Sequence, residues 1–168
     1  CQPAHGLLSN LYLMQRQHEK AIEEAEKAIA LDPNSADAYA HLGHVLVFSG
    51  KPEGAVLSLE KAIRLNPIAP SWYWHMIGMA YREMGRHEES ITACKKAIHR
   101  QPDNLFAYLV LTATYSLLGR EDEARAAAAE ILRISPKFSL DYFAKTRPHI
   151  DPANTASYID ALRKAGLK

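Results

Sequence analysis

The chain has 168 residues, of which 48% are hydrophobic, and it is long enough to bury one continuous core. Its 20 basic and 19 acidic side chains nearly cancel, so net charge gives no strong field to attract nucleic acid or an anionic membrane. No apolar run approaches the roughly 20 residues of a membrane-crossing helix, so direct membrane insertion is not expected. The two cysteines, Cys1 and Cys94, form no disulfide framework or metal-site pattern, and they favour a reducing, cytoplasmic compartment.

A frame of about 34 residues recurs four times along the chain, and each copy ends at a proline. These prolines are Pro33, Pro67, Pro102 and Pro136. Each copy has large residues at i, i+3 and i+7, which share one face of a helix, followed by small residues on a second helix. In chain order, the pattern predicts helices at 4–16, 18–31, 36–49, 52–65, 71–84, 87–100, 105–118 and 121–134. The chain is therefore expected to form four helical hairpins.

Glycines are expected to serve two purposes in these hairpins. Gly50, Gly85 and Gly119 follow the first helices of the second to fourth copies, where a residue free to adopt positive φ ends a helix. Gly43 and Gly78 lie in the middle of first helices, where each costs about 1 kcal/mol relative to alanine. We expect a close approach of the two helices at these positions to repay that cost.

The frame resembles the tetratricopeptide repeat, whose pattern is W-x2-L-G-x2-Y, then A-x3-F, then P. The second copy reads Tyr39-x-x-Leu42-Gly43-x-x-Leu46, Ala55-x-x-x-Leu59-x-x-Ala62, Pro67, and the third begins Trp74-x-x-Ile77-Gly78-x-x-Tyr81. The resemblance implies an all-α fold, an α-α superhelix of four hairpins in residues 1–136, with first helices on the concave side. The repeats then lie at about 2–35, 36–70, 71–104 and 105–138.

Residues 137–168 depart from the frame. Ser139 precedes a short helix that ends before Pro148, and a second helix starts at Asp151-Pro152, an acceptor followed by a proline suited to the first turn. Gly166 follows as a stop. We expect this region to form C-terminal capping helices that cover the last hairpin. Alternatively, part of it lies across the concave surface or against a neighbouring domain.

The C-terminal end also resembles those of bacterial multidomain proteins, in which tetratricopeptide arrays follow a nucleotide cyclase domain or a winged-helix regulatory domain. The similarity rests on Pro148, on Asp151-Pro152 and on residues 162–167. It implies that the chain is the C-terminal part of a larger bacterial signalling protein. Cys1 leaves two interpretations, an excised fragment or a mature lipoprotein that is lipid-anchored through this cysteine.

The resemblance implies a module that binds a protein or peptide partner through its concave face. At 100° per residue, each first helix carries a stripe opposite its core stripe, rich in methionine, aromatic and histidine side chains that suit an apolar segment. The predicted groove contains Asn10, Met14, His41, His44, Phe48, Trp72, His75, Met76, Met79 and Arg82. We expect Trp72 and Met76 to be exposed, whereas Phe106, Val110 and Leu117 belong either to the groove or to the core.

Some members of the family hold acidic C-terminal tails with a Lys/Asn/Arg clamp, which needs cations to pair with carboxylates. The corresponding positions are Gly6, Asn10, Ala40, His44, Trp72 and Met76. Only Asn10 matches, so this chaperone-tail function is not predicted.

Two other functions are possible from the sequence. Leu7, Leu8 and Leu11 near the start form an apolar end that favours self-association into a homo-oligomer. His41 and His44 share one helical face, and with His75 they offer imidazoles of the kind that bind zinc. Acidic residues at ligand spacing are scarce around them, so we expect either polar contacts to a partner or half-buried, hydrogen-bonded rings rather than a metal site. The sequence contains no nucleophile–base arrangement and no phosphate-binding glycine loop, so it predicts neither an enzyme nor a cofactor.

Overall fold

The computed structural model describes residues 2–168, with side chains from residue 4 onward. Cys1, the residue on which the lipid-anchor alternative depends, lies outside the described residues. Residues 2–168 form ten helices and no strand. They are α1 (Gln2–Met14), α2 (His18–Leu31), α3 (Ala36–Phe48), α4 (Pro52–Leu65), α5 (Ser71–Glu83), α6 (His87–Arg100), α7 (Leu105–Leu117), α8 (Glu121–Ile134), α9 (Leu140–Lys145) and α10 (Pro152–Lys164). The eight helices predicted from the repeating frame are confirmed, each within two residues.

The first eight helices pair as four hairpins, α1 with α2, α3 with α4, α5 with α6 and α7 with α8. The second helix of each hairpin packs against the first helix of the next, and the successive first helices α1, α3, α5 and α7 also contact one another. The predicted α-α superhelix is therefore confirmed. We call the wall formed by α1, α3, α5 and α7 the inner face. None of the helices in residues 2–168 has the length and apolarity that crossing a membrane requires.

Where the two helices of a hairpin cross closely, a small residue on one helix faces a larger residue on the other. A methyl group built on Gly78 would lie 2.6 Å from the sulfur of Cys94, and one on Gly43 would lie 2.5 Å from a leucine side chain of α4. In the fourth hairpin, Thr112 stands where the second and third have glycine, and the facing residue is the small Ala128; both are buried. The close approach predicted from the glycines is confirmed.

The interhelix turns need one residue in the left-handed region. Gly50, Gly85 and Gly119 take this position with φ between 70° and 74°, as predicted. In the first hairpin the turn contains Arg16 instead, with φ at 59°. A non-glycine residue is strained in this conformation by about 1–2 kcal/mol, so another interaction is needed to retain arginine there.

The C-terminal tail both covers the last hairpin and crosses the inner face. Helix α10 packs against α7 and α9. Between α9 and α10, residues 146–150 run across the inner face, and we call them the crossing segment. The backbone N–H of Ile150 donates a hydrogen bond to the carbonyl of Phe48 at 2.8 Å. Arg16 donates to the carbonyls of Arg147 and His149, at 3.0 and 3.2 Å.

Candidate functional site

A buried polar contact holds the crossing segment on the inner face. His149 is only 2% exposed, and its Nε2 lies 3.1 Å from a carboxylate oxygen of Glu83 at the end of α5. Its Nδ1 lies 3.0 Å from the hydroxyl of Thr155, and its ring meets that of Phe48 edge to face at 4.8 Å between centroids. Since buried polar groups are stable only when paired, these contacts fix the course of the tail.

Four of the ten residues assigned to the groove from the sequence are buried: Phe48, Met76, Met79 and Arg82. The expectation that Met76 is exposed is wrong, because Met76 is 5% exposed and belongs with Met79 to the core formed where the first helices meet. Trp72, which was also expected to be exposed, is half-buried against this core. Phe48 and Arg82 lie beneath the tail. The guanidinium of Arg82 stacks on the ring of Tyr158 in α10 at 4.0 Å.

From the sequence, Phe106, Val110 and Leu117 could belong either to the groove or to the core, and the structure shows that they differ. Val110 is buried, whereas Phe106 and Leu117 are exposed. Phe106 is within 5.5 Å of the ring of His75 and so extends the aromatic surface begun by Trp72.

The part of the inner face that stays open is a pocket of about 460 Å³ between the first helices and the crossing segment. Seven predicted groove residues line it: Met14, His44, Phe48, Trp72, His75, Met76 and Met79. The structure adds lining residues that were not predicted from the sequence, among them Ser71, Asn104, Arg147, Pro148 and Tyr158. Asn10 lies beside the pocket and is bonded to His44 of its lining. His41 is bonded to Asn10, and its ring contacts that of Trp72. Arg82 contacts Tyr158 beneath the tail.

Asn104 fixes one wall of the pocket. As the N-cap of α7, its side-chain oxygen accepts a hydrogen bond from the N–H of Ala107 at 3.0 Å. Its amide nitrogen lies 3.1 Å from Nδ1 of His75 and donates to the hydroxyl of Ser71 at 3.1 Å. Nδ1 of His75 is therefore the acceptor, and in the neutral ring the proton is on Nε2. The sequence signal for this role was an asparagine directly before a predicted helix.

Asn10 orients the histidines of α3 in the same way. Its amide nitrogen lies 3.3 Å from Nδ1 of His41, and its amide oxygen lies 3.0 Å from Nδ1 of His44. The amide oxygen can only accept, so Nδ1 of His44 donates and its Nε2 is left as an acceptor. His44 and His75 thus present opposite hydrogen-bonding characters.

Burial keeps these imidazoles neutral. It lowers the pKa of His44 to about 3, with the nearby His41 and His75 adding to the effect. It lowers the pKa of His75 to about 4. The pKa of His41 is also lowered by burial.

Across residues 2–168, no group of three or more His, Cys, Asp or Glu side chains is arranged to hold a metal ion. The Nδ1 atoms of His41, His44 and His75 are already bonded to asparagines. Cys94 is buried, and burial raises the pKa of its thiol to about 12, so it is not a reactive nucleophile.

A second cleft, of about 470 Å³, lies on the outer side of the array and contains Trp74 and Tyr81. Here Tyr81 donates a hydrogen bond to Glu60 at 3.1 Å, and the ammonium of Lys96 lies 4.6 Å from the centroid of the Trp74 ring. Tyr81 and Lys96 thus find partners within the chain, whereas the indole N–H of Trp74 is buried without a hydrogen-bond partner. It offers a natural control for the inner-face pocket.

Family models place these hairpins among known proteins. A model described as TPR repeat matches residues 10–50, and two described as tetratricopeptide repeat match residues 36–68 and 71–104. The chain belongs to the tetratricopeptide repeat family. One curated relative is the cell division cycle protein 27 homolog of Caenorhabditis elegans, 30% identical over 97 residues. The match spans 56% of this tetratricopeptide array and 12% of the length of that relative.

Solved structures of tetratricopeptide proteins share the fold. YrrB, described as a TPR protein with an unusual peptide-binding site, is 22% identical with a TM-score of 0.63, over 96% of this chain and 82% of that one. The first TPR of Spaghetti (RPAP3), bound to the HSP90 peptide SRMEEVD, is 19% identical with a TM-score of 0.64, over 70% of this chain and 93% of that one. At these identities, the likeness concerns the fold of the array.

Proposed function

We propose that this tetratricopeptide array is a non-catalytic protein–protein interaction module that binds an extended partner segment in the inner-face pocket. The observation that carries the proposal is the pocket itself, about 460 Å³ with apolar walls and histidines held by asparagines. Ligand sites in proteins combine such walls with a few fixed polar groups. The contact residues in this proposal are Met14, His44, Trp72, His75 and Phe106, while Asn10 and His41 support them.

The path of the C-terminal tail over the inner face supports this proposal. The crossing segment is a stretch of non-helical chain on the inner face, held through its backbone by Phe48 and Arg16. The inner face can therefore satisfy the backbone groups of a polypeptide that is not helical. Peptide binding by the related folds described above agrees with this role.

Peptides selected from a random displayed library on the purified protein test the proposal. We expect calorimetry to show that Trp72→Ala weakens the binding of a selected peptide by about tenfold or more, since buried aromatic anchors dominate such interfaces. Trp74→Ala, in the outer cleft, is the matched control and should leave the affinity unchanged. The opposite pattern, or a library that yields no binding peptide, would contradict the proposal.

We infer a cytoplasmic setting in which the array is the recognition part of a larger bacterial signalling protein. The support is the resemblance of residues 148–167 to the ends of such proteins, together with the reduced, buried Cys94. The reading frame upstream of residue 1 tests this directly. A cyclase or winged-helix domain is expected there, and a secretion signal ending at Cys1 would contradict the inference.

Self-association is a second candidate function, favoured by the exposed face of α1. Leu7 is 70% exposed and Leu11 is 53% exposed. The residues equivalent to Leu11 in the next three repeats, Val45, Ala80 and Thr114, are all fully buried between hairpins. A second copy could cover this face. Light scattering should then show a mass that rises with concentration and falls for Leu11→Glu; a constant monomer mass would exclude this candidate.

A further inference from the structure

Arg147, on the crossing segment, brings a positive charge to the inner-face pocket without a carboxylate to balance it. Its guanidinium lies 4.2 Å from the ring centroid of Phe143 and 5.8 Å from that of Phe106. Its Nε is buried without a hydrogen-bond partner, and its one side-chain hydrogen bond runs to the hydroxyl of Thr146 at 3.4 Å. Among residues 2–168, every ion pair to a carboxylate involves a side chain other than Arg147.

The acidic groups nearest to the pocket are already engaged elsewhere. Asp103 lines the pocket, but its carboxylate pairs with Arg133 at 2.8 Å. Glu83 pairs with His149 at 3.1 Å and with Arg82 at 3.8 Å. The two half-buried histidines of the lining are neutral, as their lowered pKa values indicate. The charged side chains of residues 4–168 therefore leave Arg147 as a free cation at this site.

A cation in this position favours an anionic ligand. Removing a guanidinium from water without a partner is unfavourable, and burial accordingly lowers the pKa of Arg147. A carboxylate can accept two parallel N–H bonds from a guanidinium, which restores the lost hydration and fixes the geometry. The clamp-like positions of the first helices offer no lysine or arginine, so the only such cation in the pocket lining comes from the tail.

We propose that Arg147 is the anion-recognition residue of the inner-face pocket, and that it pairs with an aspartate or glutamate side chain of an extended partner peptide. An apolar side chain next to that acid then contacts Trp72 and Phe106, which line the same pocket. This inference rests on the proposed function and names the partner chemistry. The C-terminal tail thus completes the binding site that it partly covers.

The test is a selection from random 12-residue peptides displayed within a carrier loop, so that no peptide has a free C-terminus. Peptides enriched on the wild-type protein should share an acidic position next to an apolar one. A synthetic copy capped at both ends should lose affinity by about tenfold when that acid is changed to its amide, because charged hydrogen bonds are the stronger class. On Arg147→Gln, the acidic and amide peptides should bind equally, and Arg147→Lys should retain part of the preference.

The matched control is Arg163→Gln, which removes an exposed arginine of α10 that pairs with Asp160 at 2.8 Å. This variant should keep the full preference for the acid. Circular dichroism and melting of Arg147→Gln establish that the array stays folded. Enriched peptides without an acid, or an acid preference that survives in Arg147→Gln, would overturn the inference. A copy with a free C-terminus is compared with the capped one. If only the free form binds, the inference is also overturned, because the carboxylate then belongs to the chain end.

A separate measurement tests the anion site if no peptide is enriched, a result that would itself contradict the proposed function. The probes are 3-phenylpropionate and 3-phenylpropionamide, which differ only in charge and in the group that meets Arg147. We expect the carboxylate, and not the amide, to shift the NMR resonances of the Arg147 Nε–H and the Trp72 indole, with the effect lost in Arg147→Gln. Equal shifts from both probes, or none, would overturn the inference.

Discussion

The imidazole of His149 lies 3.1 Å from the carboxylate of Glu83, across a sequence separation of 66 residues. Both side chains are buried. The contact joins the tail to the end of α5, so the third hairpin and the C-terminal region stabilise each other. It also fixes the crossing segment and, with it, the position of Arg147 at the pocket.

The buried pair predicts a large effect when one partner is removed. In His149→Ala, the free energy of unfolding should fall by about 3 kcal/mol, because Glu83 is left as a buried carboxylate without its donor. The backbone N–H of Ile150, bonded to Phe48, should exchange faster with solvent. Denaturant titration and hydrogen exchange measure the two effects. His99→Ala, on the exposed side of α6, is the control; unchanged protection of the Ile150 amide would contradict the account.

Arg16 should stabilise the position of the tail, although it strains the turn in which it lies. The equivalent turn residues are glycines, and glycine at this position would relieve about 1–2 kcal/mol of left-handed strain. Arg16→Gly should nevertheless speed hydrogen exchange in the crossing segment, since it removes the donor to the carbonyls of Arg147 and His149. If exchange there stays the same while the melting temperature rises, Arg16 does not anchor the tail.

Because a small residue faces a larger one within each hairpin, a larger residue at Gly78 should be compensated by a smaller one at Cys94. Gly78→Ala should destabilise the array by about 1–3 kcal/mol, because the added methyl group would overlap the sulfur of Cys94. Adding Cys94→Ala should recover much of the loss, since the pair then approaches the arrangement of Thr112 over Ala128 in the fourth hairpin. A double-mutant cycle measures the coupling. Strictly additive effects would contradict this interpretation.

The half-buried His44 and His75 predict a loss of stability on mild acidification. The folded pKa values of His44 and His75, about 3 and about 4, lie below the ordinary value of 6.5. Below pH 6.5 the unfolded chain binds protons that the folded chain does not, so each histidine lowers the free energy of unfolding by about 1.4 kcal/mol per pH unit. The stability that depends on these histidines being neutral is fully present above pH 6.5 and is lost as the pH falls toward 4.

Urea titrations at pH 7, 6 and 5 test this effect. His75→Gln should reduce the dependence on pH by about one proton, and His99→Gln, at an exposed position, is the matched control. A stability that stays constant between pH 7 and 5 would show that neither imidazole is kept neutral by folding.

Periodicity sufficed to predict the hairpins, because each helix in a repeat array meets the same neighbours at the same positions. Contacts within one repeat or with the next determine where the large residues recur. The same local contacts determine the positions of the mid-helix Gly43 and Gly78 and of the turn glycines. The boundaries of α2 to α8 follow from those local rules, as do the N-cap and first-turn proline of α10.

The course of the tail could not be read from that periodicity. Residues 146–150 occur once, and their partners Arg16, Phe48 and Glu83 are distant in sequence. Phe48 and Arg82 were assigned to the groove from the sequence and are buried beneath the tail, since no repeat position signals that a further segment lies across them. An arginine in place of the turn glycine, at residue 16, was the one local irregularity that pointed to a further contact.

The central claim, that partners bind in the inner-face pocket, is most directly tested with the two tryptophans of the chain. Trp72 lines the pocket, and Trp74 lines the outer cleft. In Trp74→Phe, the emission of the remaining Trp72 should shift on titration with a selected peptide and saturate at the calorimetric Kd. In Trp72→Phe, the emission of Trp74 should stay constant. A shift from Trp74 with none from Trp72 would place the partner on the outer side and contradict the account.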